Sequence, residues 1–147
     1  MEPGKIDVLV SAWKMYQNLA KGLGDNCWKI RTAGIGFWAT IIGYGYKNND
    51  NIVYGFSLII LFMFFILEAG TKRIQYKYIE KSIAIEKSIN DFLVGEEEIL
   101  LPNDGITTSI DIPNVKDFVN LFKIRRILFW FPYVMLTVIT LVIVHFL

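Results

Sequence analysis

Two kinds of hydrophobic pattern alternate along this chain. Residues 5–23 (KIDVLVSAWKMYQNLAKGL) place Ile6, Leu9, Val10, Trp13, Tyr16, Ala20 and Leu23 at helical spacing, with lysines mostly on the other side. The pattern predicts an amphipathic helix that lies on a membrane surface or packs on a second helix. Gly22-Leu23-Gly24-Asp25-Asn26 reads as its end and as the start of the next helix. After it the polar face disappears. Thr32–Tyr46 (TAGIGFWATIIGYGY) carries no charge, and neither does Ile52–Leu67 or the run Ile127–Leu147.

The third run, 21 residues from Ile127 to Leu147, makes about 31 Å of helix, the thickness of a hydrocarbon core. The second, from about Ile52 to Gly70, is of similar length. The first is short at about 22 Å unless Lys29 and Arg31 snorkel. The polar connector KNNDN (47–51) is of the length that joins antiparallel neighbours, so 27–70 reads as a transmembrane hairpin with spans near 30–46 and 52–70. A re-entrant first segment is its competitor. Beyond Gly70 no helix breaker occurs before Gly95, and Ile74, Tyr78, Ile85, Ile89 and Phe92 form one apolar stripe beside a second of Tyr76, Ile79 and Ile83. One helix is expected to continue from the second span into water. Residues 95–113, with Glu96-Glu97-Glu98, the turn Pro102-Asn103-Asp104-Gly105 and β-prone Ile106, Thr107, Thr108 and Ile110, read as a small irregular or β-hairpin insert. A helix then starts at Pro113 or Asn114 and leads into the third span, where Pro132 is expected to bend it.

The fold class expected is therefore an all-α integral membrane protein with three transmembrane helices. Its divisions are 1–26, an amphipathic helix; 27–70, the hairpin; 71–126, a helical region with the 95–113 insert; and 127–147, the third span. Basic residues set the orientation. Lys5, Lys14, Lys21, Lys29 and Arg31 precede the first span; Lys72, Arg73, Lys77 and Lys81 follow the second; Lys116, Lys123, Arg125 and Arg126 precede the third. The outer connector has only Lys47. The positive-inside rule puts the N-terminus and 71–126 in the cytoplasm and the C-terminus outside, as in a multi-pass protein of a bacterial inner membrane. Aromatic residues at 129–133, and at 44, 46 and 54, would mark the two interfaces. No cleavable signal is expected, since Glu2, Asp7 and Asp25 interrupt the first thirty residues.

Composition agrees with lipid as solvent: 54% of the 147 residues are apolar and mean hydropathy is +0.42. A net charge of +1 gives no basic field for nucleic acid. With one cysteine, Cys27, and one histidine, His145, an intrachain disulfide and a Cys-based metal centre are excluded, and neither metal nor cofactor is expected. No nucleophile–base, HExxH, P-loop or carboxylate-pair spacing occurs, so the chain reads as a non-enzyme.

Three features remain as candidate sites. Gly36, Ala39, Thr40 and Gly43 share one face of the first span, a small-residue surface for close helix packing. Packing inside the monomer and self-association both fit it. Glu68 is the one carboxylate within an apolar run, and Lys72 at i+4 suggests an interfacial ion pair rather than proton handling. The 74–92 stripe offers a face for a soluble cytoplasmic partner. Ile42-Gly43-Tyr44-Gly45 resembles the core of a potassium-channel filter, but Ile41 stands where the filter has threonine and Tyr46 where it has aspartate. Gly34-x-Gly36-x-x-Ala39 spells a dinucleotide motif without the strand that motif requires.

In layout, the tight hairpin at 32–70 followed by the charged helix 71–94 resembles the SLATT-type small membrane effectors of bacterial anti-phage systems. The resemblance covers about half the chain and rests on architecture. It implies a self-assembling, pore-forming or depolarising effector with a cytoplasmic sensing or coupling region. The third span and the 95–113 insert depart from that layout. A holin is a related option, but it would place the N-terminus outside. A non-catalytic anchor or scaffold that docks a soluble partner is the alternative, and an ion channel the third.

Overall fold

The computed structural model describes residues 3–48, 50–95, 105–110, 119–122 and 126–146. It is helical: α1 spans Pro3–Asn48, α2 spans Asn51–Val94, a short 3-10 turn spans Asn120–Phe122, and α3 spans Ile127–Phe146. No strand occurs among the described residues. In particular 105–110 pairs with no strand, while 96–104 and 111–118, which hold the rest of the expected insert and the start of the helix at Pro113, lie outside them.

α1 is one helix where two were expected, and Gly22 and Gly24 do not end it. Gly24 instead makes room. The Gln75 side chain of α2 donates from Nε2 to the Ala20 carbonyl at 2.9 Å, and a Cβ on Gly24 would lie 2.7 Å from that nitrogen. The glycine is a notch for a neighbouring side chain, and the backbone keeps its helical bonds around it. α1 and α2 are joined by a tight turn in which Asp50 caps α2, its Oδ1 accepting from the Ile52 amide at 3.0 Å. α2 continues through Gly70 and stops at Gly95, whose φ of 101° is the left-handed conformation that favours glycine.

The chain divides into two compact units: Met1–Asp25 with Ile74–Ile112, and Asn26–Arg73 with Pro113–Leu147. Each contains paired parts of α1 and α2, and in each the pairing reflects about a centre between residues 49 and 50. Gln17 meets Ser82 and Gly24 meets Gln75 in the first unit; Arg31 meets Glu68 and Gly45 meets Tyr54 in the second. Along α2 the inward positions Tyr54, Ser57, Leu61 and Glu68, then Gln75, Tyr78, Ser82, Ile85 and Ile89, follow the alternating three- and four-residue steps of an antiparallel coiled pair.

The two units differ in what they expose. In the first, Leu9, Ala12, Tyr16 and Ile85 form the core with Trp13, Met15, Tyr78 and Ile89 against it. Lys5, Asp7, Lys14, Lys21, Glu80, Glu86 and Lys87 are outside. This is the arrangement of a helix pair in water. Phe92 is half-buried, but Ile74 of the expected stripe is exposed, because Gln75 holds the inward position beside it. In the second unit Ser57, Glu68 and Thr140 are wholly buried, while Phe62 is 63% and Leu128 81% exposed, with Phe56, Ile59, Met63, Leu67, Val134, Val138 and Leu141 also outside. These polar groups are buried together with Tyr54, Leu61, Ala69, Phe129 and Tyr133, and the exterior is largely apolar. α2 and α3 each contain a stretch long and apolar enough to cross a membrane; α1 does not reach that hydropathy.

Candidate functional site

The second unit is built around a buried ion pair. Glu68 enters from α2 with no exposed surface. Its Oε2 accepts from Arg31 Nε of α1 at 3.1 Å and from the Tyr133 hydroxyl of α3 at 2.7 Å; a terminal guanidinium nitrogen of Arg31 lies on Oε1. That same nitrogen is 3.5 Å from the Phe129 carbonyl. Pro132 lies inside α3 and has no amide to give the Leu128 carbonyl, so the donor-poor turn of α3 sits next to the guanidinium. One carboxylate therefore ties three helices together.

The expected partner of Glu68 was Lys72, one turn along the same helix. Arg31 replaces it. Glu68 points into the seam towards α1, and a planar guanidinium matches both carboxylate oxygens at once, which a lysine cannot do. The ion pair joins two helices instead of lying within α2. The sequence signal was the turn: 31 and 68 stand equally far from its centre.

Aromatic packing closes the cluster. The Phe65 ring lies 5.4 Å from Phe129 and 5.3 Å from Tyr133, edge-on to the latter, and 5.7 Å from Phe122. One turn of α3 beyond the cluster, and then another, the indole nitrogen of Trp38 donates to Thr140 Oγ1 at 2.9 Å, a second polar bond between α1 and α3. Cys27 is buried beside Glu68, Arg31 and Lys72. That burial also makes Cys27 a poor reporter of sidedness for an impermeant reagent.

Several serine and threonine hydroxyls of the apolar helices are satisfied locally. Thr40 donates to Gly36 O, Ser57 to Tyr54 O, Thr71 to Leu67 O, and Thr137 to Tyr133 O. Back-bonding of this kind removes the cost of a hydroxyl where water is absent.

The small-residue face is not where α1 packs on α2. Gly36, Ala39, Thr40 and Gly43 are all exposed, and no atom lies within 4 Å of where a Cβ on Gly36 or Gly43 would sit, the helix's own neighbouring backbone aside. Packing inside the chain uses Gly34 and Gly45 instead: a Cβ on Gly34 would stand 2.9 Å from Phe64 Cβ and Cγ, and one on Gly45 3.1 Å from Tyr54. Gly36 and Gly43 thus make no close contact with α2. The stripe residues Tyr78, Ile85 and Ile89 do come together with α1, in the core of the first unit. His145 is exposed at the end of α3, its ring 5.3 Å from Phe146.

The cluster can hold helices in register and carry a buried charge pair. No protein-family model, curated protein or solved structure matches this chain, so its geometry stands by itself.

Proposed function

We propose that this chain is a three-span membrane protein, with its N-terminus in the cytoplasm, that self-assembles through the outer face of α1 and depolarises the membrane when assembled. The first unit would be its cytoplasmic sensing or coupling part. The observation that carries the proposal is the exposed, uncovered face Gly36, Ala39, Thr40 and Gly43, in a unit whose exterior is otherwise bulky and apolar. Small residues let a second helix backbone come close, and the Thr40 hydroxyl is already satisfied by Gly36 O, so the face presents no unmet polar group to lipid or to a second copy. The layout resemblance to SLATT-type effectors points the same way.

The test is induced expression in bacteria with a voltage-sensitive dye. Wild type is expected to collapse the potential, and Gly36→Leu or Gly43→Leu to preserve it while reducing the oligomer on a native gel. An unchanged potential with an intact oligomer would favour the anchor that docks a soluble partner. Orientation is read separately in a Cys27→Ser background. A cysteine at exposed Asn48 should react with an impermeant maleimide in intact cells, and one at exposed Glu86 should not.

A further inference from the structure

In the first unit, residues 105–110 lie across α1 and α2 as a strap whose hydrogen bonds to the two helices, among the described residues, are all accepted by its main-chain carbonyls. Tyr16 of α1 donates its hydroxyl to the Thr107 carbonyl at 2.8 Å, and Tyr78 of α2 donates to the Thr108 carbonyl at 3.1 Å. Lys81 of α2 places its ammonium 2.8 Å from the Thr107 carbonyl and 2.6 Å from that of Ser109. Three consecutive carbonyls are thus met by three side-chain donors. Tyr16 and Tyr78 stack at 6.1 Å, and Lys81 stands 5.9 Å from the centre of the Tyr16 ring, so the donors form one continuous platform.

The strap's own side chains do not make this contact. Thr107 Oγ1 turns back to accept from the Ser109 amide at 3.1 Å, a local turn that presents the carbonyls outward. Lys81 meets neutral carbonyls and no carboxylate among the described residues, although a cation bonds an acid more strongly than an amide. A platform whose three groups all donate to main-chain carbonyls recognises a peptide by its main chain, as strand-adding partners are recognised. Beside it a groove of about 390 Å³, lined by Asp7, Val8, Ser11, Ala12, Met15 and Ile106, offers room for one apolar side chain of such a peptide.

We propose that Tyr16, Tyr78 and Lys81 are a receptor for the main chain of an extended peptide, that residues 107–109 fill it in cis, and that a partner's extended segment docks by displacing them. The tether makes the strap a built-in competitor at an effective concentration in the millimolar range, so only a partner that outcompetes it engages the first unit.

Limited proteolysis of the full chain in detergent, read by mass spectrometry, tests this. Cleavage within 105–110 follows the population of the released strap. Lys81→Met, which removes two charge-assisted bonds, is expected to speed that cleavage about tenfold or more, and Tyr78→Phe severalfold, with cleavage elsewhere unchanged. Thr108→Ala should leave the rate within about twofold, because the receptor reads its carbonyl. On unmutated protein, the hexapeptide Gly-Ile-Thr-Thr-Ser-Ile at roughly 10 mM should speed cleavage of the strap, and a scrambled peptide should do so equally. Unchanged cleavage in Lys81→Met, no effect of either peptide, or an effect of one peptide alone would each overturn the proposal. None of these readouts involves lipid or assembly, so failure here leaves the depolarisation proposal standing, and failure there leaves this one.

Discussion

At the scale of single residues, Glu68 has the most at stake. Its carboxylate is wholly buried, the Arg31 side chain is 16% exposed, and each neutralises the other. Removing one partner strands the other charge, which costs about 3–5 kcal/mol, whereas replacing both by apolar residues of similar size is close to neutral. Glu68→Leu and Arg31→Met are therefore each expected to lower the melting temperature in detergent steeply, and the double variant to recover most of the loss. Additive losses would show that the two side chains do not act as a pair. Tyr133→Phe removes one hydrogen bond to a charged group and should cost about 1.5–3 kcal/mol. Cys27 is buried. In the native protein the thiol should alkylate far more slowly than after denaturation in SDS. Equal rates would contradict its burial.

Helices show why some of this was legible and some was not. The turn at 48–51, the run of α2 through Gly70 and its stop at Gly95 follow from breakers and caps, which are local signals. The seam between α1 and α2 is not local. Its inward positions include Ser57, Glu68, Gln75 and Ser82, which an apolar stripe does not contain, and Ile74 of the expected stripe is exposed beside Gln75. Gly22 and Gly24 misled for a related reason: glycine that admits a neighbour and glycine that ends a helix are spelled alike. The Arg31–Glu68 pair was recoverable by reflecting the chain about its turn. The cradle of carbonyls at 107–109 was not, because main-chain contacts leave no trace in side-chain pattern. Glycines make the sharpest test of the packing. Gly34→Ala sets a methyl against the Phe64 Cβ and is expected to destabilise the hairpin by about 1–3 kcal/mol in thermal unfolding. Gly36→Ala meets open space and should leave unfolding unchanged or stabilise it by up to about 1 kcal/mol. The reverse order would mean that α1 turns its other face to α2.

For the whole molecule, the same pair of helices carries two kinds of exterior. Lysines and glutamates surround the core of the first unit, while phenylalanines, isoleucines and valines surround that of the second, which also holds a buried charge pair. Water cannot favour both arrangements. About 25 cal/mol is forgone for each square ångström of apolar surface left wet, and exposed Phe56, Ile59, Phe62, Met63, Leu67 and Leu128 would all bear it. Lipid would remove that penalty and leave side-chain packing and the buried polar bonds to hold the helices together. The change of rule near residues 26 and 73 is where the solvent would change.

Spin-label accessibility along α1, α2 and α3, in a Cys27→Ser background reconstituted into liposomes, reads that change directly. Labels at Phe56, Phe62, Leu67 and Val138 should collide with oxygen and be shielded from a water-soluble nickel complex, and labels at Lys14, Glu80 and Glu86 should do the opposite. Access of the nickel complex to Phe62 and Val138 equal to its access at Glu86 would contradict lipid as the solvent of the second unit.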